Sequence, residues 1–233
     1  ALGCFLYLRF RYPQMWFTRQ EVGIHRELIQ RTMRFGFAGS LQASSLYLGK
    51  IFVQGAVNQL GTVGIAGFAG ATRLEGFANS FADSGAISMS VIISQNHGAG
   101  KRERVKELLK KGLKLHLVVG LIVSAMLFFS ANSGMRLFLN QREQSALIQG
   151  NSYLHVVAVF YLLCFIGSCM VGYFRGVGAV QVPVMGTMIN ITIRVILSYP
   201  LIRHFGLGGL GIATAVGWCG VLGCQLFWKR KEK

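Results

Sequence analysis

Long apolar runs separated by clusters of basic residues are the feature that most constrains this fold. An α-helix rises 1.5 Å per residue, so about 20 apolar residues are enough to cross the hydrocarbon core of a bilayer. The chain is 52% hydrophobic and only 14% charged, whereas a soluble domain has about 25% charged residues. The pattern therefore predicts an all-α integral membrane protein with a bundle of six transmembrane helices.

The runs divide the chain into an opening segment, a basic loop, a six-helix bundle over 34–228 and a tail. Residues 1–10 are typical of the end of a transmembrane helix that starts earlier, so we expect the chain to be part of a longer protein. Basic segments are predicted over 11–33 and 229–233. The predicted spans lie at about 34–57, 62–95, 113–132, 151–174, 179–202 and 207–228.

The positions of the basic residues predict the orientation of these spans. Six spans place eighteen of the 24 Lys and Arg residues on one side and three on the other, with three inside spans. Cytoplasmic loops of membrane proteins carry an excess of Lys and Arg. We therefore expect both ends of this segment to be cytoplasmic, in a multi-pass protein of the cell membrane.

The net charge of +16 does not indicate nucleic-acid binding, because the charges cluster between apolar runs and no nucleic-acid-binding motif is present.

The five cysteines mostly lie inside apolar runs, without histidines at metal-ligand spacing. The histidines are expected in loops or near span ends, with His116 and His155 at the membrane interface. No cofactor or metal is predicted.

Polar residues recur at helical spacing inside three of the spans, which places each set on one helix face. A charge within the bilayer is costly, so it is expected to face protein or water and to have a partner. These faces are candidates for a functional site. Their members are Glu75, Asn79 and Asp83 in the second span, Tyr47, Lys50 and Gln54 in the first, and Asn190 and Arg194 in the fifth.

Lys50 and Glu75 are a feasible ion pair, because their spans are joined by a short turn and should be antiparallel neighbours. Simpler interpretations stay open for each group. Lys50 can extend its ammonium towards the membrane surface, and Glu75 can be a structural salt-bridge partner. Arg194 can serve helix packing, and Asp83 can be an interfacial charge.

Several short motifs resemble those of the multidrug and toxic compound extrusion (MATE) family. The Gln-Asn-x-Gly-Ala-Gly-Lys motif is the most specific of them. The motifs are GAVNQLGT (55–62), ATRLE (71–75), QNHGAGKRER (95–104), FRGVG (174–178) and GLGGLG (206–211). The resemblance covers essentially the whole chain and is to the second half of the family, the end of helix six and then helices seven to twelve.

This resemblance implies one lobe of a twelve-helix transporter whose two six-helix lobes are related by pseudo-symmetry. It implies alternating access, with export of drugs or other organic, often cationic compounds against entry of H⁺ or Na⁺. The partners would be the N-terminal lobe of the same protein, the lipid bilayer and small organic substrates.

Some members of the family have a coupling carboxylate in helix seven, at a position that falls here near Leu46, flanked by Gln42 and Ser45. Gln42 is therefore a further candidate for the ion-coupling site or cavity. A second acid of some members falls near Cys164. Neither position holds an acid in this chain. Glu75 and Asp83 are the acids within the predicted spans, and their candidacy comes from the polar face.

Other functions stay open at this stage. A related flippase for lipid-linked saccharides would have the same architecture. A membrane-embedded transferase would need a catalytic acid, His or Cys near a membrane face, and the histidines show no triad or metal spacing. A structural membrane domain without transport is the third alternative.

Overall fold

A computed structural model of the chain describes residues 2–13, 23, 26–139 and 143–231. Residues 14–22 and 24–25 of the predicted basic loop and the last two residues of the basic tail lie outside the described ranges. Regular secondary structure in the described ranges consists of six helices: α1 (Leu2–Arg11), α2 (Arg26–Asn58), α3 (Gly61–Gly98), α4 (Arg102–Arg136), α5 (Gln144–Gly176) and α6 (Gln181–Lys231). The predicted all-α fold is confirmed.

The chain divides into two compact units, Ala1–Phe37 and Ala38–Lys233. The first unit contains α1 and the beginning of α2. The second contains the rest of α2 and helices α3 to α6, and it holds the hydrophobic core. All the candidate site residues lie in this second unit.

The turn between α3 and α4 depends on a glycine. The run Gly98-Ala99-Gly100 is predicted to stop one helix and start the next, and α3 ends there. Gly100 has φ of 72°, a left-handed conformation that residues with a Cβ rarely adopt. The chain can therefore reverse within three residues and begin α4 at Arg102.

Helix α6 is two helical arms joined at Gly206, whose φ of 57° and ψ of −143° are not helical. The side-chain oxygen Oε1 of Gln149 accepts a hydrogen bond from the backbone N–H of Leu207 at 3.1 Å, which satisfies one free donor at the start of the second arm. The sequence predicts that the fifth span closes near Pro200. The first arm instead continues through Pro200, because the conformational break is supplied by Gly206.

Three described helices, α4, α5 and α6, are long and apolar enough to cross a membrane by length and composition. Helix α3 has the length but is rich in small and polar residues, which lowers its hydropathy. The predicted spans at 34–57 and 62–95 therefore remain predictions that rest on charge distribution and polar faces.

Helices α3 and α5 pack closely against each other in the core. A Cβ added to Gly67 would lie 2.6 Å from the carbonyl oxygen of Ala146, and one added to Gly150 would lie 2.8 Å from the carbonyl oxygen of Gly67. The backbones of α3 and α5 thus touch directly at this point. The aromatic residues Tyr153 and Tyr161 of α5 are completely buried beyond it.

We expect Gly67→Val to destabilise the fold, because the added side chain meets backbone atoms that cannot move aside. Overpacking of this kind costs about 1–3 kcal/mol. Gly76→Val is the matched control on the same helix, since nothing lies within 4 Å of its Cβ position. Thermal unfolding of the purified protein in detergent measures the difference, and equal stabilities of the two variants would contradict the proposed backbone contact.

Candidate functional site

A buried carboxylate lies between α3 and α5. Glu75 is only 8% exposed. The phenolic hydroxyl of Tyr153 donates a hydrogen bond to Glu75 Oε2 at 2.8 Å. Arg194 of α6 donates in turn from Nη2 to the Tyr153 oxygen at 3.2 Å. The three side chains form a series, Arg194 to Tyr153 to Glu75, that connects three helices.

A second tyrosine extends this network by two helical turns. Tyr161 Oη donates to Asn79 Oδ1 at 2.8 Å and lies 3.3 Å from the backbone carbonyl oxygen of Glu75. Glu75 and Asn79 are four residues apart on α3, and Tyr153 and Tyr161 are eight apart on α5. Each pair therefore lies on one face of its helix, and the two faces meet.

Aromatic rings pack against both tyrosines of the network, which are buried. The Tyr153 ring packs edge-on against Phe68, with 5.6 Å between centroids, and the Tyr161 ring packs against Trp218 at the same distance. Interactions between charges are stronger in such low-dielectric surroundings than in water. The electrostatic interactions among Glu75, Tyr153 and Arg194 are therefore stronger than those between exposed groups.

The sequence makes Lys50 and Glu75 a feasible pair, but the structure does not bring the two side chains together. In the described part of the chain, no ion pair joins them. Lys50 is exposed, and its Nζ lies 5.3 Å above the ring of Tyr47, one turn earlier on α2. Glu75 faces α5, so its cationic neighbour is Arg194, reached through Tyr153 rather than directly.

The other candidates on α2 and α3 lie outside the tyrosine network. Asp83 is exposed. Gln54 donates to Asn58 on its own helix at 3.0 Å. Gln42 donates to Thr187 Oγ1 at 2.9 Å and accepts from Arg175 Nη2 at 2.9 Å, so it connects α2 with α5 and α6.

Asn190 and Arg194 lie together on the first arm of α6, where they line a small cavity with Lys50. Asn190 packs against Gly217, whose added Cβ would be 3.3 Å from the amide carbon. The second arm of α6 therefore approaches the first through small residues such as Gly217 and Gly220.

The sequence interpretation did not identify Tyr153 as a site residue. A tyrosine in an apolar helix is typical of packing, and only its position opposite Glu75 gives it a polar role. The available signal was the spacing of Tyr153 and Tyr161 on one face of α5.

His116 is a buried residue of α4. The sequence predicts a position near the membrane interface, which stays a prediction, and the structure adds that the side chain is only 5% exposed. Its Nδ1 lies 2.9 Å from the carbonyl oxygen of Gly112, and its Nε2 lies against Gly85 of α3. The absence of a side chain at Gly85 leaves the space that the imidazole fills.

These features define an α-helical membrane protein with a polar site buried among its helices. A sequence model of the family MatE matches residues 40–200. The chain therefore belongs to the MatE family, and the predicted resemblance is confirmed. It is accordingly a membrane protein of a transporter family and not an enzyme.

Two curated relatives illustrate the extent of the similarity. The chain is 24% identical over 238 residues to the probable multidrug resistance protein YoeA of Bacillus subtilis, covering 97% of this chain and 51% of that protein. It is 27% identical over 156 residues to a probable multidrug resistance protein NorM of Bacillus cereus, covering 63% of this chain and 33% of that protein. The chain thus spans about half, or less, of these relatives.

The chain also covers about half the length of a solved structure that it resembles. A crystal structure of MATE in complex with MaL6 superposes with a TM-score of 0.88 at 19% identity, covering 98% of this chain and 53% of that chain. At this identity the likeness shows the fold alone. The fold is that of half of a MATE transporter, in agreement with the predicted single lobe.

We expect Tyr153→Phe to destabilise the protein, because the buried Glu75 carboxylate loses a donor that water cannot replace. An unsatisfied buried group costs about 1–3 kcal/mol, and more when it is charged. In a double-mutant cycle with Glu75→Gln, the two changes should be non-additive. The measurement is the free energy of unfolding in detergent micelles.

Tyr47→Phe is the matched control for this cycle, since Tyr47 is exposed on α2. It should leave the free energy of unfolding unchanged within about 0.5 kcal/mol. Strict additivity of Tyr153→Phe and Glu75→Gln would mean that the hydroxyl and the carboxylate do not interact.

Proposed function

We propose that this chain is the C-terminal lobe of an H⁺- or Na⁺-coupled antiporter that exports drugs or other organic compounds by alternating access. The observation that supports this most directly is the buried series Arg194, Tyr153 and Glu75 within a MATE-type lobe. Acidic groups inside membrane proteins are rare and mark ion pathways and proton relays. The names of the relatives, multidrug resistance proteins, support the substrate class.

The partners follow from the same proposal. The chain spans about half of its relatives, so we infer that a first six-helix lobe of the same protein completes the transporter. Substrate would bind between the two lobes. The protein would lie in the cell membrane with both ends of this segment in the cytoplasm, as the distribution of Lys and Arg indicates.

Glu75 is the proposed coupling group. When it is ionised, the Tyr153 hydroxyl donates to it, and the Tyr153 oxygen accepts from Arg194. When it takes up a proton, its charge no longer attracts Arg194, and its new O–H competes with that of Tyr153 for hydrogen bonding. An ion drives a conformational change only through different affinity for the two states, and a carboxylate held between three helices can provide that difference.

Tyr153 is hydrogen-bonded to both Glu75 and Arg194, so uptake of a proton by Glu75 could change how three helices are held together. Glu75 lies on α3, Tyr153 on α5 and Arg194 on the first arm of α6. Loss of the carboxylate charge weakens the connection of α6 to the α3–α5 pair. The proposed response is therefore a shift of the first arm of α6 relative to the tightly packed α3 and α5.

We expect Glu75→Gln to abolish coupled efflux by the intact protein in proteoliposomes, because glutamine keeps the shape of the side chain but cannot take up a proton. Efflux is measured at several external pH values, with and without Na⁺. Wild-type efflux should follow the imposed ion gradient, and the variant should lose that dependence.

Glu107→Gln supplies the matched control, since Glu107 is an exposed carboxylate that pairs with Lys111 on α4. It should leave efflux unchanged. If Glu75→Gln inserts normally and still shows gradient-driven efflux, Glu75 is structural and coupling must occur in the first lobe. If the intact wild-type protein shows no substrate flux under either gradient, the transport proposal itself fails.

A further inference from the structure

A small cavity lies between α2 and the first arm of α6. Its volume is about 50 Å³, and its polar lining consists of Lys50, Asn190 and Arg194. Leu46 and Val53 contribute apolar surface beside them. All of these residues belong to the second compact unit of the chain. The cavity therefore combines two cationic side chains and an amide with an apolar wall.

The two cations of this cavity lack acidic partners. In the described part of the chain, no carboxylate lies within ion-pair distance of Lys50 or Arg194. The Lys50 ammonium contacts the face of the Tyr47 ring. Arg194 donates from Nη2 to Tyr153, while its Nε is buried without a hydrogen-bond partner. Buried charges in proteins are normally paired, so the Arg194 guanidinium, which lines the cavity and has no acidic partner among the described residues, is suited to bind an external acceptor.

The formal charges around the cavity favour a ligand with a single negative charge. Lys50 and Arg194 contribute two formal positive charges, and the nearest acid in the network is Glu75, separated from Arg194 by the Tyr153 hydroxyl. With Glu75 ionised, the group of three has a net charge of +1. A monoanion bound in the cavity would neutralise it. An organic cation would instead meet two like charges, which is unfavourable.

The volume limits which part of a ligand can enter. One water molecule needs about 10–15 Å³ of such volume, so the cavity admits a group of about three to five non-hydrogen atoms. A carboxylate has this size, and arginine binds carboxylates through paired N–H donors. The Asn190 amide can donate a further hydrogen bond. A larger organic body would remain outside, next to the exposed side chain of Leu46.

We propose that the cavity formed by Lys50, Asn190 and Arg194 binds the carboxylate of an organic anion or zwitterion. As a substrate subsite it rests on the proposed transport function, and it narrows the substrate class to compounds with an acidic end. The same chemistry is available in water-soluble carboxylates and in fatty acids of the bilayer. Both sources enter the test as separate ligands.

Equilibrium binding to the purified full-length protein in zwitterionic nanodiscs tests this proposal without requiring turnover. Radiolabelled benzoate is the water-soluble probe, laurate is the bilayer-borne probe, and benzamide is the uncharged analogue of benzoate. We expect saturable binding of a carboxylate and none of benzamide. The double variant Lys50→Met with Arg194→Gln should bind about tenfold or more weakly, as expected for the loss of charged hydrogen bonds.

A double variant that removes two positive charges elsewhere controls for general attraction of anions. Arg73 is exposed on α3 and contacts the Phe138 ring, and Lys111 is exposed on α4. Arg73→Gln with Lys111→Met should bind like wild type.

Lys50→Met alone is a second variant of the cavity, and it should also weaken binding of the carboxylate probe. Because Lys50 is exposed, this change keeps the test valid if Arg194→Gln disturbs folding.

The outcomes distinguish a water-soluble carboxylate from a bilayer carboxylate, and they test the binding site separately from the transport function. Benzoate binding that depends on the cavity supports a water-soluble anion, and binding of laurate alone assigns the site to a bilayer carboxylate. Binding of neither probe, or equal loss in both double variants, overturns the site. Cavity-dependent binding by a protein that shows no gradient-driven efflux would leave the site intact and refute the transport proposal.

Discussion

The direct contact between the backbones of α3 and α5 is the constraint on which the buried site depends. The helices touch where Gly67 meets Gly150, and they approach again where Gly172 lies against the Ala86 carbonyl. Between these two contacts the helices are too close for water to separate them. The 2.8 Å bond from Tyr153 to Glu75 exists because both helices are held together on either side of it.

A buried carboxylate in such a place adds little to net stability, because the cost of removing its charge from water offsets most of what its hydrogen bonds provide. Its significance is that every member of the series depends on the next. Glu75 accepts from Tyr153, and Tyr153 accepts from Arg194. The series therefore joins a side chain of α3 to a side chain of α6 through a tyrosine of α5.

The polar groups of the lobe separate into an acidic part and a basic part. The acid lies between α3 and α5, and the basic cavity lies between α2 and the first arm of α6. Arg194 belongs to both, since it lines the cavity and binds Tyr153. Gln42 independently fastens α2 to α5 and α6 through Arg175 and Thr187, so the walls of the cavity are connected at more than one level.

The sequence by itself determined the class of protein, the helical content, the turn at Gly98-Ala99-Gly100 and the polar face that includes Glu75 and Asn79. These follow from hydropathy, from glycine stereochemistry and from the period of 3.6 residues, all of which act within a single helix. Helical periodicity does not fix how far each helix is rotated about its axis or which helix faces it. Only the tertiary structure therefore decided that Glu75 meets Tyr153 rather than Lys50, that His116 is buried against Gly85, and that Lys50 and Arg194 share one cavity.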